Sequence, residues 1–394
     1  MNSGESLLSL LKRRIRQRGR ITFRSFMEAA LYEPGLGRYR VADPPIGPEG
    51  DYLTSPEVDE TFGRLVGRAV AEMDGRLGAP SPLTLIEMGP GRGTLCRDLL
   101  RGLAVESPDL FARTRYVLVE PSETLRAEQH AALAGVDLLT KTAWRSWPDL
   151  LEEGPVQGCI LGNEFLDALP VHLVESGGGR LFEIYVTLTP EGRLAEEAGE
   201  LSDPRLGEYF AAPRIELGEG QRAEVNLAAV EWIGEAARIL DAGFALVIDY
   251  GHEAADLYSE RHYAGTLLGY RRHTLVVDPL AAPGEHDLTS HLDFTSLRRE
   301  ALRAGFDSWA VTSQRNFLVS LGLAREIAAM AEAEGSAGAS ARLQRRFALH
   351  TLMSPMGMGE TFKVQLFGRG RPIEGLQFMK DPFRDAVEAP RGSI

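Results

Sequence analysis

The sequence predicts an α/β protein built on a doubly wound, mostly parallel sheet. Two observations carry that expectation. From residue 83 onward, short apolar runs alternate with stretches of helical period, and apolar strands separated by helices are typical of parallel strands covered on both faces. The chain is also 394 residues long and 44% hydrophobic, enough to bury a large core as one elaborated domain or two.

The elements follow in chain order. Residues 1–80 read as a helical N-terminal extension. Leu7, Leu8, Leu11 and Ile15 supply one apolar face of a helix. The basic run Lys12, Arg13, Arg14, Arg16, Arg18 and Arg20 reads as its solvated face. A loop rich in Gly and Pro covers 33–51, and loops that long are often functional. Ser55-Pro56-Glu57 then looks like a helix start with Pro at the first helical position. The main domain is placed at 81–370, with strands at 83–88, 116–119, 136–139, 156–161 and 245–248, a helix at 94–103 and a last strand at 361–367. Between 173 and 243 the alternation lapses. That segment reads as an insertion between the fourth and fifth strands, a hairpin around 181–188 followed by a helix at 227–240. Residues 371–394 read as a tail.

Composition excludes several classes. A net charge of −13 opposes nucleic-acid binding. No apolar run approaches 18 residues, so no membrane span is expected. Two cysteines, Cys96 and Cys159, cannot build a disulfide scaffold or a four-thiolate zinc site. The histidines and acids between His273 and Asp293 match no metal motif, and no metal is expected.

The strongest local signal is Glu87-Met88-Gly89-Pro90-Gly91-Arg92-Gly93, between the first strand and its helix. A P-loop needs a Lys-Ser/Thr pair that is missing, and in a dinucleotide loop the third glycine comes one position later. The form acidic-x-Gly-x-Gly-x-Gly is that of an S-adenosylmethionine loop, and it is met at every fixed position. That ligand carries a sulfonium, an ammonium and a carboxylate but no pyrophosphate. Glu87 can organise the ammonium end, and Glu120, closing the second strand, can accept both ribose hydroxyls. A NAD-dependent oxidoreductase would use Glu120 in the same way, but the glycine spacing opposes it.

Four further segments complete the pattern. They are Gly50-Asp51-Tyr52-Leu53-Thr54-Ser55-Pro56-Glu57-Val58, the run from Asn163-Glu164-Phe165-Leu166-Asp167 to Pro170-Val171-His172, Ile248-Asp249-Tyr250-Gly251-His252, and Asp278-Pro279-Leu280 through His291-Leu292-Asp293-Phe294. With the glycine loop they resemble, from about residue 5 to about 368, the MidA-like family, which includes a mitochondrial complex I assembly factor that methylates a protein arginine. The resemblance implies a class I S-adenosylmethionine methyltransferase fold, with seven strands of which one is antiparallel. It implies that Gly89, Gly91, Gly93 and Glu120 contact the cofactor. The chain starts almost at the family's first helix, which reads as a bacterial, cytoplasmic member without a presequence.

The loop after the fourth strand is where a methyl acceptor is expected. Asn163 offers a carbonyl and an amide to the cofactor. Glu164 and Asp167 stand three apart, so a helical turn would bring both to one side, where paired carboxylates suit a guanidinium. Glu164 is assigned to the reacting nitrogen as general base, and Asp167 to orienting it, or alternatively to capping a helix. His172 is a further catalytic candidate. Tyr52 and Thr54 are placed over the cofactor as part of a lid, and Asp249, Tyr250 and His252 toward the same cleft. The expected activity is methylation of a protein arginine, with S-adenosylhomocysteine as the product. The alternatives are a small-molecule O- or N-methyltransferase, or an assembly factor with secondary activity.

Overall fold

The computed structural model describes residues 6–41, 46–47, 50–51, 53–332 and 339–383. Helix α1 (Leu7–Arg18) is capped by the Ser6 hydroxyl, which accepts the Ser9 amide at 3.2 Å. It buries Leu7, Leu10, Leu11 and Ile15. Leu8 is exposed, and Leu10 takes the place expected of it. Parts of its basic face bind carboxylates, with Arg14 bidentate on Glu33 at 2.9 Å. Helix α2 (Phe23–Tyr32) follows, capped by Thr22.

Helix α3 (Thr61–Leu77) leads into the central sheet. The sheet's strands are β1 (Leu83–Met88), β2 (Thr114–Val119), β3 (Thr142–Trp144), β4 (Val156–Asn163), β5 (Leu240–His252), β6 (Ser308–Ser313) and β7 (Phe362–Arg369). Their spatial order is β6-β7-β5-β4-β1-β2-β3. Strand β7 runs antiparallel to both neighbours, as in Val247↔Gln365 and Val311↔Gln365. The remaining pairs are parallel, with Ile86 between Ile160 and Val117. An eighth strand, Leu292–Asp293, pairs with the end of β5.

The strands are apolar on both faces because both faces are covered. On one side Phe62, Leu65 and Val66 of α3 pack with Leu99 and Leu103 of helix α4 (Thr94–Glu106) against Leu85 and Leu246. On the other, Trp232, Ile233 and Ala236 of helix α5 (Leu227–Ile239) pack on Ile86, Ile160 and Val247. The order reverses between β4 and β1, which opens a crevice outside their carboxyl ends.

A second sheet takes four of its five strands from the chain between β4 and β5. It joins Ile21–Thr22, Arg180–Leu188, His172–Gly177 and Arg222–Val225 in that order, with Leu194–Gly199 beside Arg180–Leu188. Helices α1 and α2 cover it, burying Phe23, Phe26 and Met27 against Val171, Leu173 and Ile184. The segment 173–243 is thus more than the hairpin and helix read from its sequence. Its roof comes from the N-terminus, whereas α3, assigned to that extension, belongs to the main core.

Two edge strands escaped the sequence. The third strand lies at Thr142–Trp144, not at 136–139, where Asp137 takes φ +57° and Leu139–Lys141 form a 3-10 turn. Strand β6 was not foreseen. No helix among the described residues is long and apolar enough to cross a membrane.

Candidate active site

The chain leaves β1 through Gly89 (φ +57°), Gly91 (φ +52°) and Gly93 (φ +82°) before α4 begins. This left-handed region costs an L-residue about 1–2 kcal/mol, so glycine is required three times. Space is restricted as well. A Cβ at Gly89 would stand 3.1 Å from Phe165, at Gly91 3.2 Å from Ile46, and at Gly93 3.2 Å from Gln129. Gln129 fixes the loop from behind. Its Nε2 donates to Gly91 O at 2.7 Å, and its Oε1 accepts from Trp144 Nε1 at 2.8 Å.

Three carboxyls face this cradle from the strand ends, Glu87 and Glu120 buried and Glu164 half-buried. Glu87 accepts the Tyr116 hydroxyl at 2.8 Å, and burial pushes its pKa up to about 8. Glu120 accepts the Ser122 amide at 2.7 Å. Burial pushes it up to about 7, against the pull of that amide and of Arg40 and Arg126. Glu164 follows β4 with φ +49°, a conformation rare outside glycine. Its amide donates to Ile248 O at 2.8 Å, and its Oε1 accepts from Ser55 N at 2.8 Å and Asn163 Nδ2 at 3.2 Å. Burial pushes it up to about 8, the Ser55 amide opposes that, and the charge of Asp167 adds to it. Asn163 Oδ1 is buried with no partner.

These groups line a cleft of about 580 Å³. Thr54, Pro56 and Glu57 of the N-terminal motif border it, with Arg24 and Tyr32 of α2 and Arg40. Trp147, Glu231, Trp232 and Glu235 close the far side. Trp147 Nε1 donates to Glu235 at 2.7 Å.

The structure separates residues that sequence spacing had grouped. Glu164 in its left-handed conformation is followed by a turn, and no helix begins at Ala168. Asp167 therefore points away from the cleft. Asp249, also behind the loop, accepts the amides of Leu166 and Asp167 at 3.0 and 3.2 Å. Burial pushes both carboxyls up, and the charge of Asp167 further opposes the ionisation of Asp249. Neither lines the cleft, and nor do Tyr250 and His252. His172 lies on the second sheet, where its Nδ1 meets Glu183 at 2.8 Å. Tyr52 lies outside the described residues. Thr54, Glu87, Gly89, Gly91, Glu120, Asn163 and Glu164 do line the cleft, and Gly93 closes the loop against Gln129. Sequence reading missed Arg40, Gln129, Trp147, Glu231 and Glu235. Only the last pair carried a signal, at i,i+4 on a helix.

A cradle that any Cβ would fill, an unpartnered carbonyl oxygen and buried acids fit a ligand with hydroxyls and cationic groups. The comparisons agree. Residues 65–311 match the family described as "Putative S-adenosyl-L-methionine-dependent methyltransferase". The mitochondrial protein arginine methyltransferase NDUFAF7 of Danio rerio is 30% identical over 390 residues, covering 91% of this chain and 86% of the relative. Its Homo sapiens counterpart is 29% identical over 417 residues, covering 97% and 88%. A crystal structure from Burkholderia thailandensis, bound to S-adenosyl-homocysteine, superimposes with a TM-score of 0.82 at 30% identity, covering 93% of this chain and 92% of that one. The chain is an enzyme that uses S-adenosylmethionine, and it belongs to the MidA-like family of methyltransferases.

Proposed function

We propose that the cleft methylates a guanidinium nitrogen of a protein arginine. The observation that carries this reading is Glu164, a half-buried carboxyl lining the cleft whose ionisation desolvation opposes. An arriving guanidinium supplies the positive charge that such a group lacks, and the pair forms in a low-dielectric site where it is strong. The names of the curated relatives point the same way.

Within this reading Glu120 receives the ribose hydroxyls, and Glu87 and Asn163 hold the amino-acid end. The glycine loop admits the ligand backbone to backbone. Bound S-adenosylmethionine supplies a methyl group on a cationic sulfur that leaves as a neutral thioether. Glu164 orients the acceptor nitrogen and takes the proton it loses, which a guanidinium must give up for charge to balance. Positioning supplies the rest.

The test is transfer of labelled methyl groups to arginine-containing peptides, to their lysine counterparts and to small amines and phenols. Label on arginine, lost by 100-fold or more in Glu164→Gln with cofactor affinity kept, is expected. Label confined to small molecules overturns the reading.

A further inference from the structure

Glu164 is held by a segment more than a hundred residues away in sequence. Ser55 opens the short helix Ser55–Val58, and its backbone N–H, at 2.8 Å, is the shorter of two hydrogen bonds to Glu164 Oε1. Ser55 is itself anchored. Its hydroxyl donates to Gln314 Oε1 at 3.0 Å, and Gln314 Nε2 donates to Leu352 O at 3.1 Å. All of this is buried. Upstream, Asp51 is fixed by Arg38 Nε at 2.6 Å and by the amide of Arg272 at 2.9 Å. The motif around Thr54 is therefore pinned on both sides of the point where it touches Glu164.

We infer that Ser55 is a positioning residue for methyl transfer, its backbone N–H holding the Glu164 carboxylate in the cleft and stabilising the charged form. The inference rests on the role given to Glu164 above. The groups acting on that carboxyl divide by sign. The charge of Asp167 opposes its ionisation. Glu57, on the same segment as Ser55, is turned to the Thr94 hydroxyl at 2.5 Å. The Ser55 amide and Asn163 Nδ2 are the donors that favour the charged form. A backbone donor is suited to this task because its direction is fixed by the helix start and no rotamer change removes it.

The donor can be deleted without forcing the backbone. Thr54 is extended (φ −90°, ψ 158°), which suits the residue before a proline, and proline is favoured at the first helical position. Ser55→Pro removes the amide hydrogen and the hydroxyl. Ser55→Ala removes the hydroxyl alone. The readout is the carboxyl ¹³C titration of labelled glutamate, with the Glu164 signal identified by its loss in Glu164→Gln. The Glu164 midpoint should rise by about one to two pH units more in Ser55→Pro than in Ser55→Ala, the worth of one hydrogen bond to a charged group. Equal midpoints overturn the inference. If Ser55→Pro does not fold, the wild-type Ser55 amide proton decides. Its shift should titrate with the Glu164 midpoint and stop doing so in Glu164→Gln, and a shift indifferent to that titration overturns the inference. Activity separates the two readings. Full methyl transfer by Glu164→Gln would sink the role given to Glu164 even where the hydrogen bond is demonstrated, while equal midpoints with an inactive Glu164→Gln would sink only the role of Ser55.

Discussion

Binding of S-adenosylmethionine should release protons, and the amount can be worked from two carboxyls. Glu87 titrates near 8 and Glu120 near 7, both raised by burial. At pH 7 the first is about nine-tenths protonated and the second about half. A ligand whose ammonium end lies at Glu87 and whose ribose hydroxyls donate to Glu120 favours the charged form of each. If both ionise fully in the complex, up to about 1.4 protons leave per molecule bound at pH 7. At pH 9 both groups are already ionised and the release should nearly vanish. Titration calorimetry at pH 7, in buffers of differing ionisation enthalpy, gives the number as the slope of observed heat against buffer enthalpy. Glu120→Gln should lower it by about half a proton and weaken affinity. Any share from Glu164 is reported by Glu164→Gln. Saturable binding whose heat is independent of the buffer would refute the reasoning, because the buried acids would then not be facing the ammonium and the ribose hydroxyls.

Three further outcomes follow from the same geometry. Glu87→Gln should stabilise the ligand-free protein increasingly between pH 5 and 8: the folded carboxyl keeps its proton until about 8 while the unfolded one loses it near 4.3, so wild-type stability falls with rising pH by about 1.4 kcal/mol per unit. Urea midpoints across that range check it, and parallel curves for the two proteins would contradict it. Gly91→Val should fold with a loss of about 1–2 kcal/mol for a left-handed L-residue and bind the cofactor at least about tenfold more weakly, because its Cβ projects toward Ile46; unchanged affinity would remove the loop from the site. His172→Ala should keep methyl transfer per folded molecule within about twofold while losing about 1–3 kcal/mol of stability, since buried Glu183 keeps the Ser202 amide but loses its imidazole partner; lost activity at full stability would restore a catalytic role.

What the sequence revealed and what it hid have physical causes. The inner strands β1, β2, β4 and β5 are apolar on both faces and legible as unbroken runs. The edge strands are not. Thr142–Trp144 carries no such run, while the apolar stretch beside it packs Leu138 into the core from a turn. The glycine loop could be read because a left-handed backbone demands glycine. The same rule failed at Glu164, where a non-glycine residue adopts that backbone and turns Asp167 away from its expected partner. His172 looked catalytic because it ends a conspicuous motif, but the motif crosses from the central sheet into the second one before reaching it. The roof of the second sheet was hidden because the N-terminal helices and residues 172–225 are far apart in sequence and meet only in the fold, where Ile21 and Thr22 pair with Val186 and Tyr185 and the helices pack on the sheet.

The role of Glu164 depends on where the cofactor product sits relative to its carboxylate. A crystal structure of this protein with S-adenosylhomocysteine and an arginine peptide would decide it. The ribose hydroxyls should lie on Glu120, the sulfur should face the acceptor nitrogen, and that nitrogen should lie on the Glu164 carboxylate with Ser55 N–H still attached. A complex in which Glu164 is screened from both sulfur and acceptor, or in which the ribose lies away from Glu120, would contradict it.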